Sequence, residues 1–195
     1  VHLNSNVINV NQISNGIIEA VIESKNRDLK KDSADLIFNC SYSGISILDN
    51  SFFTKEALLK HELTELVLID IPNNLKNKGI TVMDGPFFSI LPNPTYNSSI
   101  ISHVRYTPHK EWLDSEDINP YNELLKYKKV SRFNRIIRDS SRYIPSLIQS
   151  KYKSSLFEIK TVLVKNEIDD GRPILFKEHS YIKNFYSILG AKIDN

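Results

Sequence analysis

The sequence is poor in the residues that build several common kinds of functional site. It has one cysteine, Cys40, in 195 residues, so it can form neither an intrachain disulfide framework nor a cysteine-rich zinc site. Its six glycines form no G-x-G-x-x-G motif and no P-loop. No apolar run reaches the roughly 20 residues of a membrane-spanning helix, and no signal peptide is visible. We therefore expect no metal site, no membrane span and a reducing, cytoplasmic setting.

Charge and length narrow the class of protein further. The formal net charge is +2, whereas a dedicated nucleic-acid binder usually shows a stronger basic bias. Hydrophobic residues make up 41% and charged residues 25%, proportions that are ordinary for a globular protein with a real core. The chain begins at Val1 without methionine and ends at Asn195 without an evident terminating element, so we expect a fragment of a longer protein.

The most informative stretch is a pair of apolar segments in the middle of the chain. Residues 79–92 contain two apolar runs separated by Asp84-Gly85-Pro86, and Ser99–Tyr106 is a further strand candidate. Between them lies Pro92–Ser98, which is rich in turn-forming residues. This pattern predicts a long antiparallel hairpin.

The second strand of that hairpin carries a candidate pocket. Because side chains alternate along a strand, Ile101, His103 and Arg105 are expected to share one face. A cation and an imidazole beside apolar residues suit a small acidic ligand. A solvated sheet face is the alternative interpretation of the same pattern, and the pattern alone leaves it open.

Strands dominate the rest of the chain. Asn15-Gly16 is a hairpin turn signal, and Thr54 can cap a short helix through Lys60. The charged residues 25–31 and 110–129 are expected to be loops, the second with at most one helical turn. In residues 156–164, Phe157, Ile159, Thr161 and Leu163 alternate onto one face. The expected strands are residues 1–10, 17–23, 34–40, 66–71, 156–164 and 181–189.

One helix is predicted clearly, from Ser131 to its end at Pro145. Its apolar face is formed by Phe133, Ile136, Ile137, Ser140 and Ile144. The opposite face carries a row of arginines, which could bind phosphates or simply be solvated; the near-neutral total charge favours the solvated face. These arginines are Arg132, Arg135, Arg138 and Arg142.

Several short motifs occur in an order that resembles a known family. They are Val1–Val10, Ala34–Gly44, the central hairpin, Asp170-Gly171-Arg172-Pro173-Ile174-Leu175 and Asn184–Gly190. Their order resembles the carboxy-terminal portion of FAD-dependent oxidoreductases of the D-amino-acid oxidase type. The family's A-t-G turn is replaced here by Cys40-Ser41-Tyr42, and its glycine-rich dinucleotide fingerprint would lie upstream of Val1.

The resemblance implies a strand-rich α+β fold with an antiparallel or mixed substrate-domain sheet and parts of an FAD-binding α/β domain. Residues 1–50 and 155–195 would belong to the FAD-binding domain, and residues 51–154 to the substrate domain. The residues implied to contact FAD are Val7, Cys40, Ser41, Tyr42, Gly44, Gly171, Arg172 and Gly190. Apart from the resemblance, Cys40 is more typical of a small buried hydrophobe than of a nucleophile.

The resemblance also implies a reaction, the removal of a hydride from the C–N bond of an amino acid or amine, with FAD as acceptor. Arg105 or Lys160 would bind a substrate carboxylate, and Tyr106, Phe87 and His103 would shape the pocket. The expected partner is the missing amino-terminal half of the same protein, with no nucleic acid and no membrane span. The alternative is a non-catalytic ligand-binding domain that retains this fold.

Overall fold

The structure, a computed structural model, describes residues 3–14, 16–50, 58–83, 85, 87–164 and 174–190. Its fold is α+β and strand-rich, as the sequence predicts. The chain divides into two compact units. The first comprises residues 1–61, 113–123 and 161–195, and the second comprises residues 62–112 and 124–160. None of the described helices is long and apolar enough to span a membrane.

One sheet of the first unit is a three-stranded antiparallel meander in the order β1-β2-β3. Its first turn contains Gly16, whose φ of +83° lies in a region that glycine enters without steric cost, so the predicted hairpin is confirmed. The first half of the third strand, residues 29–31, was expected to belong to a charged loop. This strand is an edge strand, where lysines discourage further pairing. The strands are β1 (Ser5–Ser14), β2 (Ile17–Ser24) and β3 (Leu29–Ala34).

The second sheet of this unit joins distant parts of the chain. Its middle strand pairs antiparallel with one neighbour and parallel with the other, with Phe185 opposite Ile37 and Ser187 opposite Asn39. The strands are β4 (Ile37–Asn39), β11 (Leu175–Glu178) and β12 (Phe185–Leu189), in the order β11-β12-β4. Both β4 and β12 are shorter than the predicted strands at 34–40 and 181–189.

The first unit has two apolar cores. In one, Phe185 packs with Val10 and Ile18, and Val7 lies against them. In the other, Leu189 packs with Ile45, Leu59 and Leu163. Because Phe185 and Leu189 both lie on β12, this strand buries one face in the cores. A short helix, α1 (Ile45–Leu48), follows β4 after the turn Tyr42–Gly44.

The second unit is organised around a six-stranded sheet. Its strand order is β10-β5-β8-β7-β6, and β9 also pairs with β5. The predicted central hairpin is confirmed, with Phe88 opposite His103 and Asn93 opposite Ser98. The strands are β5 (Leu59–Asp70), β6 (Ile80–Val82), β7 (Phe88–Asn93), β8 (Ser98–His103), β9 (Pro108–Leu113) and β10 (Lys151–Leu163).

One face of this sheet is covered by a helix, α3 (Phe133–Ser140). Its buried residues Ile136 and Ile137 pack on Val67, Phe88 and Ile101. The amphipathic prediction is therefore confirmed, although the helix proper ends at Ser140. On its outer side Arg135 and Arg138 are exposed. A second helix, α2 (Pro120–Lys126), begins in the first unit and ends in the second.

The sequence-based boundaries were wrong in the loop after β8. Strand β8 ends at His103 rather than Tyr106, because the N–H groups of Tyr106 and Thr107 both donate to the carbonyl oxygen of His103, at 3.0 and 2.8 Å. This turn leads into β9, most of which lies in the range 110–129 that was expected to be a loop. The helix expected at residues 54–60 is contradicted at Leu59 and Lys60, which lie in β5; residues 54–57 lie outside the described residues.

Candidate functional site

The first candidate site lies where the parallel strands β4 and β12 end. Strand β4 leads into Ser41–Gly44, and β12 leads into Gly190. Because parallel strands present their carboxyl ends at the same edge of a sheet, these two segments emerge side by side. In open α/β sheets, ligands bind outside the carboxyl ends of strands. The structure thus brings together two segments that are about 150 residues apart in sequence.

Asn39 organises the first of these segments. Its Nδ2 donates to the carbonyl oxygen of Ile45 at 3.0 Å and to Ser187 Oγ at 3.3 Å. Its Oδ1 accepts from Ser41 Oγ at 2.6 Å and from Ser41 N at 3.3 Å. Since Asn39 is almost fully buried, these contacts fix the start of the turn.

A buried carboxylate continues this network. Ser187 Oγ donates to Asp49 Oδ2 at 2.7 Å, and Asp49 is fully buried. On the other side of Asp49, His179 Nε2 lies 3.8 Å from Oδ1. His179 Nδ1 accepts from the N–H groups of Tyr181 and Ile182, so the neutral ring carries its proton on Nε2, toward Asp49. Hydrogen bonds thus run from Asp49 through Ser187 and Asn39 to Ser41, and His179 lies beside the Asp49 end.

The turn itself has a constrained backbone. Tyr42 has a φ of +53°, which is uncommon for a residue with a side chain, and its hydroxyl accepts from Thr161 N at 3.2 Å. A Cβ on Gly44 would lie 3.3 Å from Cε2 of Tyr121, so a larger residue must displace that ring. Cys40 is exposed, which contradicts the expectation of a buried hydrophobe.

Val7 lies at an unpaired strand edge. Strand β1 is the outer strand of its sheet, and its free edge pairs with no strand in the described part of the chain. The register of the β1–β2 pair is interrupted between Val7 and Asn9. Because the Val7 side chain packs toward Phe185, it is the backbone at Val7 that can meet a ligand. Gly171 and Arg172 lie outside the described residues.

The second unit offers a candidate surface on the face of its sheet opposite α3. Lys160 Nζ lies 2.8 Å from Glu62 Oε2, with the Lys160 side chain 43% exposed. Phe87 precedes the buried Phe88 and pairs with Val104, so alternation places its side chain on this second face. Two strands, β5 and β8, separate β10 from β7, so the positions of Lys160 and Phe87 are separated by at least about 14 Å across the sheet.

The other expected pocket residues are placed elsewhere. His103 is fully buried on the α3 side, where its Nε2 lies 3.3 Å from Asp139 Oδ2 and its ring is 4.8 Å from that of Tyr106. Arg105 is exposed in the turn after β8. The prediction that Ile101, His103 and Arg105 share a strand face is confirmed for Ile101 and His103 and is wrong for Arg105, because the strand ends at His103. His103 and Tyr106 pack with Phe88 and the α3 core, whereas Lys160 lies on the opposite face.

A second buried network, centred on Glu65, was not predicted from the sequence. Glu65 Oε2 accepts from His109 Nε2 and Arg132 N, both at 2.9 Å, and Oε1 accepts from Ser155 Oγ at 2.5 Å. Burial opposes ionisation of Glu65, but these hydrogen bonds and one from Ser131 outweigh it and hold its pKa below the usual value. The sequence signal was an acidic residue inside the apolar strand Leu63–Val67.

His109 is the neutral partner of this carboxylate. Burial lowers the pKa of His109, although Glu65 acts in the opposite direction. Its Nδ1 lies 3.1 Å from the hydroxyl of Tyr127, which can donate to it when Nε2–H donates to Glu65. This network joins β5, β9, β10 and the start of α3, so it serves to hold the second unit together. No group of His, Cys, Asp and Glu suited to a metal ion occurs in the part of the chain that the structure describes.

The whole fold resembles solved oxidoreductase structures. Glycine oxidase from Geobacillus kaustophilus matches with a TM-score of 0.59 and 15% identity over 95% of this chain. Glycerol-3-phosphate dehydrogenase from Bacillus halodurans, solved with FAD, matches with a TM-score of 0.60 and 15% identity over 96%. A thermally stable mutant of fructosyl peptide oxidase matches with a TM-score of 0.58 and 14% identity over 87%. At these identities the likeness shows the fold alone.

The likeness covers less than half of each matched protein. This chain spans 42% of the glycine oxidase chain, 35% of the dehydrogenase chain and 40% of the fructosyl peptide oxidase chain. No protein-family model and no curated protein matches the sequence.

Proposed function

We propose that this chain is part of an FAD-dependent oxidoreductase that oxidises the C–N bond of an amino acid or amine. The observation that carries the proposal is the fold likeness, which extends over 87% to 96% of the chain in three oxidoreductases. Two of these are oxidases whose names indicate amine-bearing substrates, and the third was solved with FAD.

The first unit fits an FAD site in part. The outer edge of β1 at Val7 offers unpaired backbone groups that suit the edge of an adenine ring. The segments Ser41–Gly44 and Gly190, at the carboxyl ends of parallel strands, suit the isoalloxazine end. No glycine-rich turn for the pyrophosphate occurs in the sequence. We propose that this turn belongs to an amino-terminal half of the same protein.

Bound FAD would accept the hydride, and the residues of this chain would orient it and its substrate. The buried network of Asp49, Ser187 and Asn39 would hold the Ser41–Gly44 turn in one conformation, so that no reorganisation accompanies the reaction. Cys40, Tyr42, Gly171 and Arg172 remain proposed cofactor contacts on the strength of the family resemblance.

In the second unit, Lys160 is the proposed anchor for a substrate carboxylate. Its ammonium group has three donor hydrogens, so the contact with Glu62 leaves two that can bind a carboxylate. Phe87, on the same face but at least about 14 Å away across the sheet, would supply an apolar wall for the far end of a long substrate. Arg105, exposed in the turn after β8, is the second candidate for the carboxylate; His103 and Tyr106 would act through the packing beneath that turn.

The alternative function is a non-catalytic ligand-binding domain. A parent gene without an upstream G-x-G-x-x-G motif would favour it, because the pyrophosphate of FAD would then lack its binding turn. We propose a cytoplasmic location for either function, since the single cysteine is exposed and reduced thiols persist there.

The test uses the protein encoded by the complete gene. It is purified without added flavin, and its absorption spectrum and released cofactor are measured. One equivalent of bound FAD whose absorption is bleached anaerobically by an amino acid or amine supports the enzymatic function. FAD that no such compound reduces supports the binding domain, and a protein that binds no FAD contradicts both the cofactor and the reaction.

A further inference from the structure

The sheet β11-β12-β4 has one buried face and one exposed aromatic face. The strand register places Tyr186 beside Phe38 and Phe176 beside Ile188. Since Tyr186 and Ile188 are two residues apart on β12, all four side chains lie on one face. We name Phe38, Phe176, Tyr186 and Ile188 the aromatic face.

The rings of this face are already in contact with one another. Phe176 and Tyr186 are stacked, with centroids 5.1 Å apart and planes 15° apart, and Phe38 lies 6.0 Å from Tyr186. Nevertheless Phe38 is 49% exposed and Phe176 is 60% exposed. Leu36 and Ile174 are also exposed. They precede Phe38 and Phe176 by two residues each, so the same alternation places them on this face. Such a concentration of exposed apolar side chains marks an interaction surface.

Strand pairing indicates what covers the surface. Strands β4 and β12 are parallel within a mixed sheet, and sheets of parallel strands are covered on both faces, usually by helices, whereas antiparallel sheets commonly leave one face in water. The opposite face of this sheet already packs in the cores through Phe185 and Leu189. Strand β4 is also the end strand of the sheet, so its outer edge pairs with no strand in the described ranges.

The matched structures indicate where the covering element comes from. Between 58% and 65% of each matched chain lies outside the part that this chain spans, so in those proteins the same architecture is accompanied by more than its own length of other polypeptide. We infer that the aromatic face is the docking surface for an amphipathic helix encoded in the same gene outside residues 1–195. This inference deepens the proposed function, on which it rests for the identity of the missing polypeptide.

Strand order makes the inference specific. Strands β4 and β11 flank β12, so the backbones at Phe38 and Phe176 lie about two strand spacings, roughly 10 Å, apart, while their ring centroids are 6.4 Å apart. A single helix has a diameter of about 10 Å with its side chains, so one helix packed over β12 contacts both phenylalanines. Residues of that helix that contact the sheet should be three or four apart in sequence.

The test is photo-cross-linking in the protein encoded by the complete gene. Phe176 and Phe38 are replaced one at a time by p-benzoylphenylalanine. Each variant protein is irradiated, and its cross-links are mapped by peptide mass spectrometry. We expect both positions to cross-link to one stretch outside residues 1–195. Tyr181, which is 85% exposed and lies in the loop before β12, is the matched control and should give a lower yield with that stretch.

Other outcomes overturn the inference. Cross-links that fall within residues 1–195, join two identical copies, reach another protein or are absent all contradict it, as does a gene that encodes nothing beyond these residues. The experiment is run with and without FAD. A cross-linked helix in a protein that binds no FAD refutes the proposed function but leaves the docking surface standing, whereas FAD-dependent amine oxidation without the cross-link refutes the docking surface alone.

Discussion

Asn39 and Ser187 stand opposite one another on the parallel strands β4 and β12, and Asn39 Nδ2 donates to Ser187 Oγ over 3.3 Å. The contact joins residues 148 positions apart in the chain. Because Asp49 and Ser41 bond to the same pair, one buried amide determines how the strand end, the turn and α1 fit together.

Replacement of this amide should therefore destabilise the protein. Asn39→Ala removes the hydrogen bonds of Asn39 to the carbonyl oxygen of Ile45, to Ser187 Oγ and to Ser41, and each intramolecular hydrogen bond contributes a net of about 0.5–1.5 kcal/mol. We expect the free energy of unfolding, measured with urea, to fall by at least about 1 kcal/mol. The exposed Asn26→Ala is the control. Equal stabilities of the two variants would contradict the role of the network.

Substitution of Lys160 tests the substrate side. If Lys160 binds a substrate carboxylate with a charged hydrogen bond worth ~1.5–3 kcal/mol, Lys160→Ala should raise KM about tenfold to a hundredfold in the complete enzyme. Lys153→Ala is the matched control, because Lys153 lies on the same strand and pairs with Asp70 at 3.0 Å. Its KM should not change.

A substitution of Glu62 should change KM in the direction opposite to Lys160→Ala. Glu62→Gln removes the carboxylate that now lies 2.8 Å from Lys160, which leaves the ammonium more available to the substrate. We expect KM to fall for substrates with a carboxylate and to stay constant for simple amines. A KM that rises equally for both classes would assign Glu62 and Lys160 a structural role only.

The buried histidines of the second unit predict how stability depends on pH. Burial lowers the pKa values of both His103 and His109 from 6.5, so the unfolded chain takes up protons first as the pH falls. Their contribution to stability is complete above that value and is lost as the pH falls toward their folded pKa values. Glu65, with a lowered pKa, adds a further loss below 4.5.

His109→Gln isolates one part of this dependence. Glutamine can donate to Glu65 but does not titrate, so the loss of stability between about pH 7 and about pH 5.5 should be smaller than in the wild type. Tyr127→Phe, which removes the hydroxyl beside His109 but keeps the imidazole, should retain a loss of the wild-type kind. Urea unfolding at both pH values measures this loss of unfolding free energy. Identical losses in all three proteins would contradict its assignment to His109.

The 195-residue chain by itself should bind FAD weakly. Pyrophosphate in dinucleotide sites is bound by a glycine turn at a helix N-terminus, and none of the six glycines supplies that motif. Titration with FAD, followed by flavin fluorescence, should show no stoichiometric binding at micromolar protein, and the exposed aromatic face should favour aggregation. Tight stoichiometric binding would show that the pyrophosphate site lies within this chain.

The sequence by itself determined the features that depend on local pattern. Alternation predicted that Phe157, Ile159, Thr161 and Leu163 share a face, and the last three are buried while Phe157 is half-buried. Turn residues predicted both hairpins, and helical periodicity predicted α3. These predictions are correct because the periodicity of a strand or helix repeats over a few residues, so a short stretch of sequence is enough to show it.

Tertiary structure alone decided where strands end and which strands pair. The sequence pattern continued past His103, but a turn closed by Thr107 ended β8 and moved Arg105 out of the sheet. The charged strand β3 formed because β2 offered it a partner edge. The parallel pair of β4 with β12, and the polar network between them, depend on residues far apart in the chain, whose meeting is set by the packing of Phe185 and Leu189 in the cores.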